Sequence, residues 1–278
     1  MTKGTLYLVG TPIGNLEDMT FRAIKKLNTV DLIASEDTRH TGKLLHHYGI
    51  ETTQISYHEH NRKQREPEII EYLQQGKTIA LVTDAGMPAI SDPGYDLVKA
   101  CVQEKIPVIP IPGVTAAITA LAVSGLPTNR FVFEGFLPVK GKAREERLQV
   151  IQQETRTMIL YESPHKLKAT LQDLGNYLGI DRAIMLGREL TKFYETFNYC
   201  TVGEAINYYE ENTAKGEYTL VISGREESSQ FNLSSEEIKG ELRQLLAQGM
   251  ARSQASRQLS KLTSLSRQEI YQLSMELE

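Results

Sequence analysis

The chain has 278 residues, 40% hydrophobic and 24% charged, enough apolar side chain to build two ordinary domains and an appendage. With 31 Lys and Arg against 35 Asp and Glu, the formal charge of -4 excludes a globally basic nucleic-acid binder and confines any polyanion contact to local patches. Cys101 and Cys200 lie far apart, which argues against a disulfide framework or a cysteine zinc site and suits a reducing, cytoplasmic setting.

Met1 to Val9 enters a strand directly, without a signal-peptide layout, and no apolar run approaches the ~20 residues of a membrane span. Strands are expected at Thr5 to Val9, Asp31 to Ala34, Thr78 to Thr83 and Val108 to Ile111. Helical periodicity covers Phe21 to Leu27, Glu66 to Gln75, Tyr95 to Glu104 and Thr115 to Val123. Phe131 to Gly135 is a fifth strand, followed by the linker-like Leu137 to Lys142. The second half continues with helices at Ala143 to Gln153 and Pro164 to Tyr177. Its strands are expected at Thr157 to Tyr161, Ala183 to Leu186, Thr196 to Thr201 and Glu217 to Ser223, with an antiparallel component near Thr196. After a polar stretch from Gly224 to Asn232, Ser234-Ser235-Glu236-Glu237 opens a capped helix. The segments Glu237 to Gln248, Ser253 to Leu259 and Arg267 to Leu277 form a helix-turn-helix-like tail. The fold class is therefore α/β: two α/β domains with mostly parallel sheets, at 1–136 and 137–226, plus a helical extension at 233–278.

Three loops follow three strands of the first domain. Gly10-Thr11-Pro12-Ile13-Gly14-Asn15 is a Gly-rich turn, but it is neither a dinucleotide fingerprint nor a Walker A loop. Thr83 to Gly94 holds two Pro, two Gly and two Asp, a composition no continuous helix or strand tolerates. Within it Asp92 is expected to cap a helix beginning at Pro93. Pro112-Gly113-Val114-Thr115-Ala116 supplies small residues that admit a close ligand or close helix packing. Each loop alone reads equally as a plain turn; three at the carboxyl ends of one sheet point to a ligand crevice.

With Thr11-Pro12-Ile13-Gly14-Asn15-Leu16, Ser35-Glu36-Asp37-Thr38-Arg39 and the Asp84 to Gly94 loop, the sequence resembles the tetrapyrrole methylase class of methyltransferases. Within that class it is similar to the bacterial family that methylates cytidine ribose 2′-hydroxyls of 16S ribosomal RNA, over Gly4 to about Gly224. Where tetrapyrrole-modifying members carry Gly-Gly-Asp-Pro, this chain has Ala85-Gly86-Met87-Pro88, which sets it apart from porphyrinoid substrates. The resemblance implies S-adenosylmethionine in a cleft between the two domains, a homodimer, and 16S rRNA of the small ribosomal subunit as partner. It implies cofactor contacts from Pro12, Ala85, Gly86, Met87, Ile90, Thr115, Ala116, Glu162 and Leu190, with Tyr161 and the strand at Gly216-Glu217 beside them.

Methylating a hydroxyl calls for a proton acceptor and needs no metal. Glu36, Asp37 and Arg39 are the candidate catalytic set, a carboxylate taking the proton while Arg39 grips a phosphate. The plain alternative is an Asp–Arg ion pair at a helix start, and Glu59, Glu162 and Glu189 rival the carboxylates. Five of the six His fall between His40 and His60, interleaved with Arg39, Lys43 and Arg62; without a ligand quartet they suggest an RNA-facing rim or a solvated face rather than zinc. Lys140, Lys142, Arg144 and Arg147 make a second basic patch. Arg252, Arg257 and Lys261 make a third, in a tail stretch without acidic residues. Two other readings stay open: a methylase of a tetrapyrrole or protein side chain, which would lack salt-dependent polyanion binding, and a non-catalytic S-adenosylmethionine-binding RNA regulator.

Overall fold

The computed structural model describes residues 3–226, 233–260, 262–263 and 265–277. They form two compact units, Met1–Ser223 and Gly224–Glu278.

The first unit contains two five-stranded sheets. Strands β1 (Leu6–Val9), β2 (Leu32–Ser35), β3 (Gln54–Ser56), β4 (Ile79–Val82) and β5 (Val108–Ile111) form an all-parallel sheet in the order β3-β2-β4-β1-β5. The apolar run of β4 explains its central place, because every one of its residues is fully buried. Alternation sends Ala80 and Val82 to one face and Ile79 and Leu81 to the other. The first pair packs beneath α1 (Phe21–Thr29) and α2 (Thr38–His47), with Leu27, Leu44 and Leu45. The second packs beneath α3 (Arg62–Gln74) and α4 (Tyr95–Gln103), with Ile69, Leu73 and Leu97. After β1 the chain moves toward β2; after β4 it moves the opposite way, toward β5. The β1/β4 boundary is thus the switch point, where connections diverge and leave a crevice at the strand ends.

The second sheet runs β6 (Phe131–Gly135), β7 (Thr157–Glu162), β10 (Tyr218–Ile222), β8 (Ala183–Arg188), β9 (Thr196–Thr201) in spatial order. It is more antiparallel than a mostly parallel expectation allows, with only β6–β7 parallel among its pairs. The cause is local. β7 and β8 do share a direction, as the helix α7 (Pro164–Leu178) between them requires, but β10 inserts antiparallel in the gap they leave. β8 and β9 are joined only by the loop over 189–195, too short for a crossover, so they form a hairpin. One face carries α6 (Lys142–Gln152), α7 and α8 (Val202–Glu211); the other receives Ala117, Ala120 and Leu121 of α5 (Ala116–Val123) against Ile159, Met185 and Val221.

The second unit holds α9 (Ser235–Ala247), α10 (Arg252–Leu259) and α11 (Arg267–Met275) around Ile238, Leu242, Ala255, Leu259 and Ile270. Ser234 with Glu237, and Ser266 with Glu269, close reciprocal capping boxes, so two of its three helices start where the sequence signals. Gly249, at φ 86, turns the chain between α9 and α10. Residues 227–232 of the expected polar stretch, and Lys261, lie outside the described residues.

Candidate active site

The turn after β1 and the long loop after β4 are stitched together where the strands end. Thr11 N–H donates to Gly86 O at 2.9 Å and Gly86 N–H returns to Thr11 O at 3.0 Å, a one-step antiparallel ladder. The turns after β1 and β5 touch backbone to backbone: a Cβ on Gly10 would stand 2.7 Å from Gly113 Cα and 2.7 Å from Met87 Sδ. Only glycine permits that approach. Inside the long loop Ala89 (φ 70) and Ser91 (φ 62) take left-handed backbone, and Ala89 N–H closes it onto Pro93 O at 3.2 Å. Such conformations cost roughly 1–3 kcal/mol each and persist where surroundings enforce them.

A cavity of about 390 Å³ opens against these loops and is closed from the second sheet. This volume suits a small organic ligand. Ala85, Gly86, Met87, Ile90, Thr115, Ala116, Glu162 and Leu190 all line it; Pro12 does not, being buried one residue before the lining Ile13. Sequence reasoning missed Ile13, Asp92, Phe136 and Lys192. Phe136 stacks edge-on with Tyr161 at 5.7 Å, and the Tyr161 hydroxyl accepts from Ala117 N at 3.2 Å, which fixes the wall built from the second sheet.

The candidate catalytic set behaves differently. Glu36, Asp37 and Arg39 sit at the β2–α2 junction and are not among the residues lining the cavity. Asp37 caps α2, accepting from Arg39 N at 2.8 Å, and holds the Arg39 guanidinium through both oxygens at 3.1 and 2.8 Å. Those hydrogen bonds keep its carboxyl well below the usual range. Glu36 accepts from Asp84 N at 3.3 Å while Asp84 accepts from Asp37 N at 3.2 Å, so the β2 and β4 turns are cross-braced. Burial, with the charges of Asp84 and Asp37 also acting, pushes the Glu36 carboxyl up.

Asp92 does not cap a helix. α4 starts at Tyr95 with Gly94, at φ 138, in the cap position, because the strained loop carries the chain two residues further before it becomes helical. Asp92 lines the cavity instead, electrostatically coupled to the lining Tyr161, and burial, then the charges of Glu36 and Asp84, push its carboxyl up to about 7.

The rival carboxylates are committed elsewhere. Glu162 accepts from Ser163 N at 2.7 Å and Thr170 Oγ1 at 2.6 Å; Glu189 holds Lys192 at 2.9 Å; Glu59 pairs with Arg62 at 3.1 Å. Among the basic patches, Arg144 is nine-tenths buried and knits α6 to α7, donating to Asp173 at 2.7 Å, Pro138 O at 2.9 Å and Thr170 Oγ1 at 2.9 Å. Arg147 pairs with Glu134, and Arg62 with Glu59 and Asp96. Arg252 folds back onto Met275 Sδ and Leu277 O. Arg39, Lys43, Lys140, Lys142 and Arg257 are exposed, although Asp37 holds Arg39 and Glu146 lies 3.4 Å from Lys142. No metal-binding cluster of His, Cys, Asp or Glu, and no helix long and apolar enough to cross a membrane, occurs among the described residues.

A sequence profile of the Tetrapyrrole (Corrin/Porphyrin) Methylases matches residues 5–206, which spans both sheets apart from β10. The chain belongs to the tetrapyrrole methylase family. Within that family it is 58% identical over 275 residues to a Synechocystis sp. protein called Ribosomal RNA small subunit methyltransferase I, covering 99% of each chain. Proteins of the same name from Halalkalibacterium halodurans (55% identity, 81% of this chain and 78% of the relative) and Escherichia coli O157:H7 (50%, 80% and 79%) are also close. Solved tetrapyrrole methylases share its fold: a Thermus thermophilus uroporphyrin-III C-methyltransferase complexed with S-adenyl homocysteine superposes with a TM-score of 0.57 at 16% identity, covering 78% of this chain and 97% of that one. A diphthine synthase gives 0.60 at 10% identity, covering 79% and 90%.

Proposed function

We propose that the protein transfers a methyl group from S-adenosylmethionine to the ribose 2′-hydroxyl of a cytidine in the decoding region of 16S rRNA. The observation that carries the reading is the cavity at the switch point, built by loops that follow β1, β4 and β5 and lined by nearly every residue expected to meet the cofactor. The substrate assignment is supported by relatives at 50–58% identity whose name specifies small-subunit ribosomal RNA.

The lining fits such a cofactor. Ile13, Met87, Ile90 and Leu190 give apolar wall for a nucleoside and a thioether-like carbon chain, while Thr115, at the start of α5, makes no cap hydrogen bond with its side chain. Thr83 Oγ1 is buried at the base of the β4 loop without a partner. S-adenosylmethionine supplies an electrophilic methyl; the protein's work is to seat the acceptor oxygen in line with it, exclude water and take a proton. Both halves of the first unit share the first of these tasks, since Tyr161, Phe136 and Leu190 line the same cavity as Met87 and Ile90.

Arg39, Lys43, Lys140, Lys142 and Arg257 serve as phosphate contacts in this reading, Arg39 with a side chain 88% exposed although Asp37 holds it; Arg62, 35% exposed and paired with Asp96, serves less well, and exposed Arg252 would first have to release Leu277 O. Arg39, held flat against Asp37, presents its guanidinium to solvent beside the β4 turn. Glu36, which does not line the cavity, is a negative neighbour of Asp92. We place the protein in the cytoplasm as a homodimer, a reading supported by the free thiols of Cys101 and Cys200 and by exposed Ile118 and Val123 on α5.

Purified protein given methyl-labelled S-adenosylmethionine and unmodified small ribosomal subunits should place one alkali-stable label on a cytidine ribose. Label on a base, or on protein, refutes the assignment.

A further inference from the structure

Three acidic residues line the cavity: Asp92, Glu162 and Glu217. Both oxygens of Glu162 are occupied, by Ser163 N–H and by the Thr170 hydroxyl, and Thr170 is itself gripped by buried Arg144. Glu217 is tied to Lys192 at 2.7 Å and is largely exposed. Asp92 alone has neither hydrogen bond nor ion pair among the described residues.

Its position is also built at some expense. The chain on either side passes through the left-handed residues Ala89, Ser91 and Gly94, and a Cβ on Gly94 would stand 2.9 Å from Leu81 Cδ2 and 3.2 Å from Ala89 N. The side chain caps nothing in return. A half-buried, unpartnered carboxylate on a cavity wall stabilises no fold, so its setting points to chemistry.

We propose that Asp92 is the catalytic proton acceptor for the substrate hydroxyl. This rests on the methyl-transfer reading. Asp92 takes the hydroxyl proton as the oxygen–methyl bond forms and the methyl–sulfur bond breaks, its electron pair remaining on sulfur; the proton then passes to water. Charge balances: a cationic donor and a neutral alcohol become a neutral thioether, an ether and a released proton.

The surroundings suit the task. Glu36 from the β2 turn, Asp84 from the β4 turn and Tyr161 of β7 are the titratable groups within electrostatic reach of Asp92. Desolvation, reinforced by the two acids, holds Asp92 near 7, where it is substantially ionised at neutral pH yet far more basic than an ordinary carboxylate. Glu36 is cross-braced to Asp84 and does not line the cavity, so its part is to raise the basicity of Asp92 through its charge.

The test compares wild type with Asp92→Asn and Asp92→Glu in single-turnover methylation of unmodified small subunits between pH 5 and 9, alongside cofactor calorimetry and infrared titration of the carboxylate without cofactor. The wild-type rate should rise to a plateau with a midpoint near 7. Asp92→Asn should lose about 100-fold or more in rate, and lose that rise, while its cofactor dissociation constant stays within about threefold. Asp92→Glu should recover part of the rate. A carboxyl titrating near 7 should vanish from the infrared difference spectrum of Asp92→Asn. An active wild type whose Asn variant keeps a third of the rate overturns the proposal, as does a parallel loss of rate and cofactor affinity, which would make Asp92 a cofactor anchor. Failure of the wild type to methylate any ribose overturns the functional reading itself, and the proposal with it.

Discussion

Gly10→Ala is the sharpest probe of the loop convergence that makes the cavity. The new methyl would lie 2.7 Å from Gly113 Cα, 2.8 Å from Gly113 N and 2.7 Å from Met87 Sδ. The thioether can swing aside, but the Gly113 backbone cannot, since Ile111 O accepts from Gly10 N at 3.1 Å and ties β5 to β1 just there. Ordinary contact requires the two turns to part by roughly 0.7 Å, and overpacking of this kind costs about 1–3 kcal/mol. The opening falls on the cavity wall: Gly113 precedes Thr115 and Ala116, and Met87 lies on the wall itself. Calorimetry should therefore show cofactor affinity reduced at least tenfold, equivalent to about 1.4 kcal/mol, with a folded protein by circular dichroism. An Ala variant that binds S-adenosylmethionine as tightly as wild type would refute the placement of the ligand between these turns.

Arg144→Ala should lower unfolding free energy in urea by about 3 kcal/mol, because it strips Asp173, Thr170 and the Pro138 carbonyl of a shared buried donor; a change under 1 kcal/mol, or weakened polyanion binding at full stability, would restore Arg144 to the RNA-facing patch. For stability against pH, Asp92 has its folded value raised from 3.8 to about 7, so the native state keeps a proton that the unfolded chain releases. Its contribution is lost as pH rises through this window, reaching about 4 kcal/mol at the upper end. Asp92→Asn should accordingly stabilise the protein more at pH 8 than at pH 5, by about 3 kcal/mol, and equal shifts at both pH values would contradict the raised carboxyl. Lys43→Glu, on the exposed face of α2, should weaken RNA binding and flatten its dependence on salt by about one counterion or more, without altering cofactor affinity; an unchanged slope would remove α2 from the interface.

Most of the fold was legible because its strands announce themselves by composition. Ile79–Val82, Val108–Ile111 and Phe131–Gly135 are short apolar runs bounded by turn residues. β3 was not, since Gln54-Ile55-Ser56 is a three-residue edge strand paired on one side only. α2 escaped because its buried face is only Thr41, Leu44 and Leu45, amid His and Lys that read as a charged surface. α8 carried a clear signal that was passed over: Thr201 and Glu204 form a capping box ahead of Val202, Ala205 and Tyr209, spaced to share a face. The position of β10 between β7 and β8 was beyond reach, because strand order depends on which gap a crossover leaves open, and no single segment encodes that.

The site divides along the same line. Backbone-made parts could be foreseen, because Gly and Pro at strand ends constrain φ wherever the loops finally meet; hence Gly86, Met87, Thr115 and Ala116 fall on one cavity. Parts made by side-chain electrostatics could not. Glu36, Asp37 and Arg39 look catalytic as a string of charges, yet the ion pair satisfies Asp37 and Arg39 locally, and Glu36 is turned toward the Asp84 backbone. Asp92 looks structural, because Asp followed by Pro is the ordinary beginning of a helix. Local preference would put the cap at Asp92; the protein instead starts α4 at Tyr95, accepts left-handed Ala89 and Ser91, and leaves a carboxylate unpaired beside two others. A folded chain bears such a conflict between local rule and final structure where the unpaired group has work to do, and here the conflict and the cavity wall coincide.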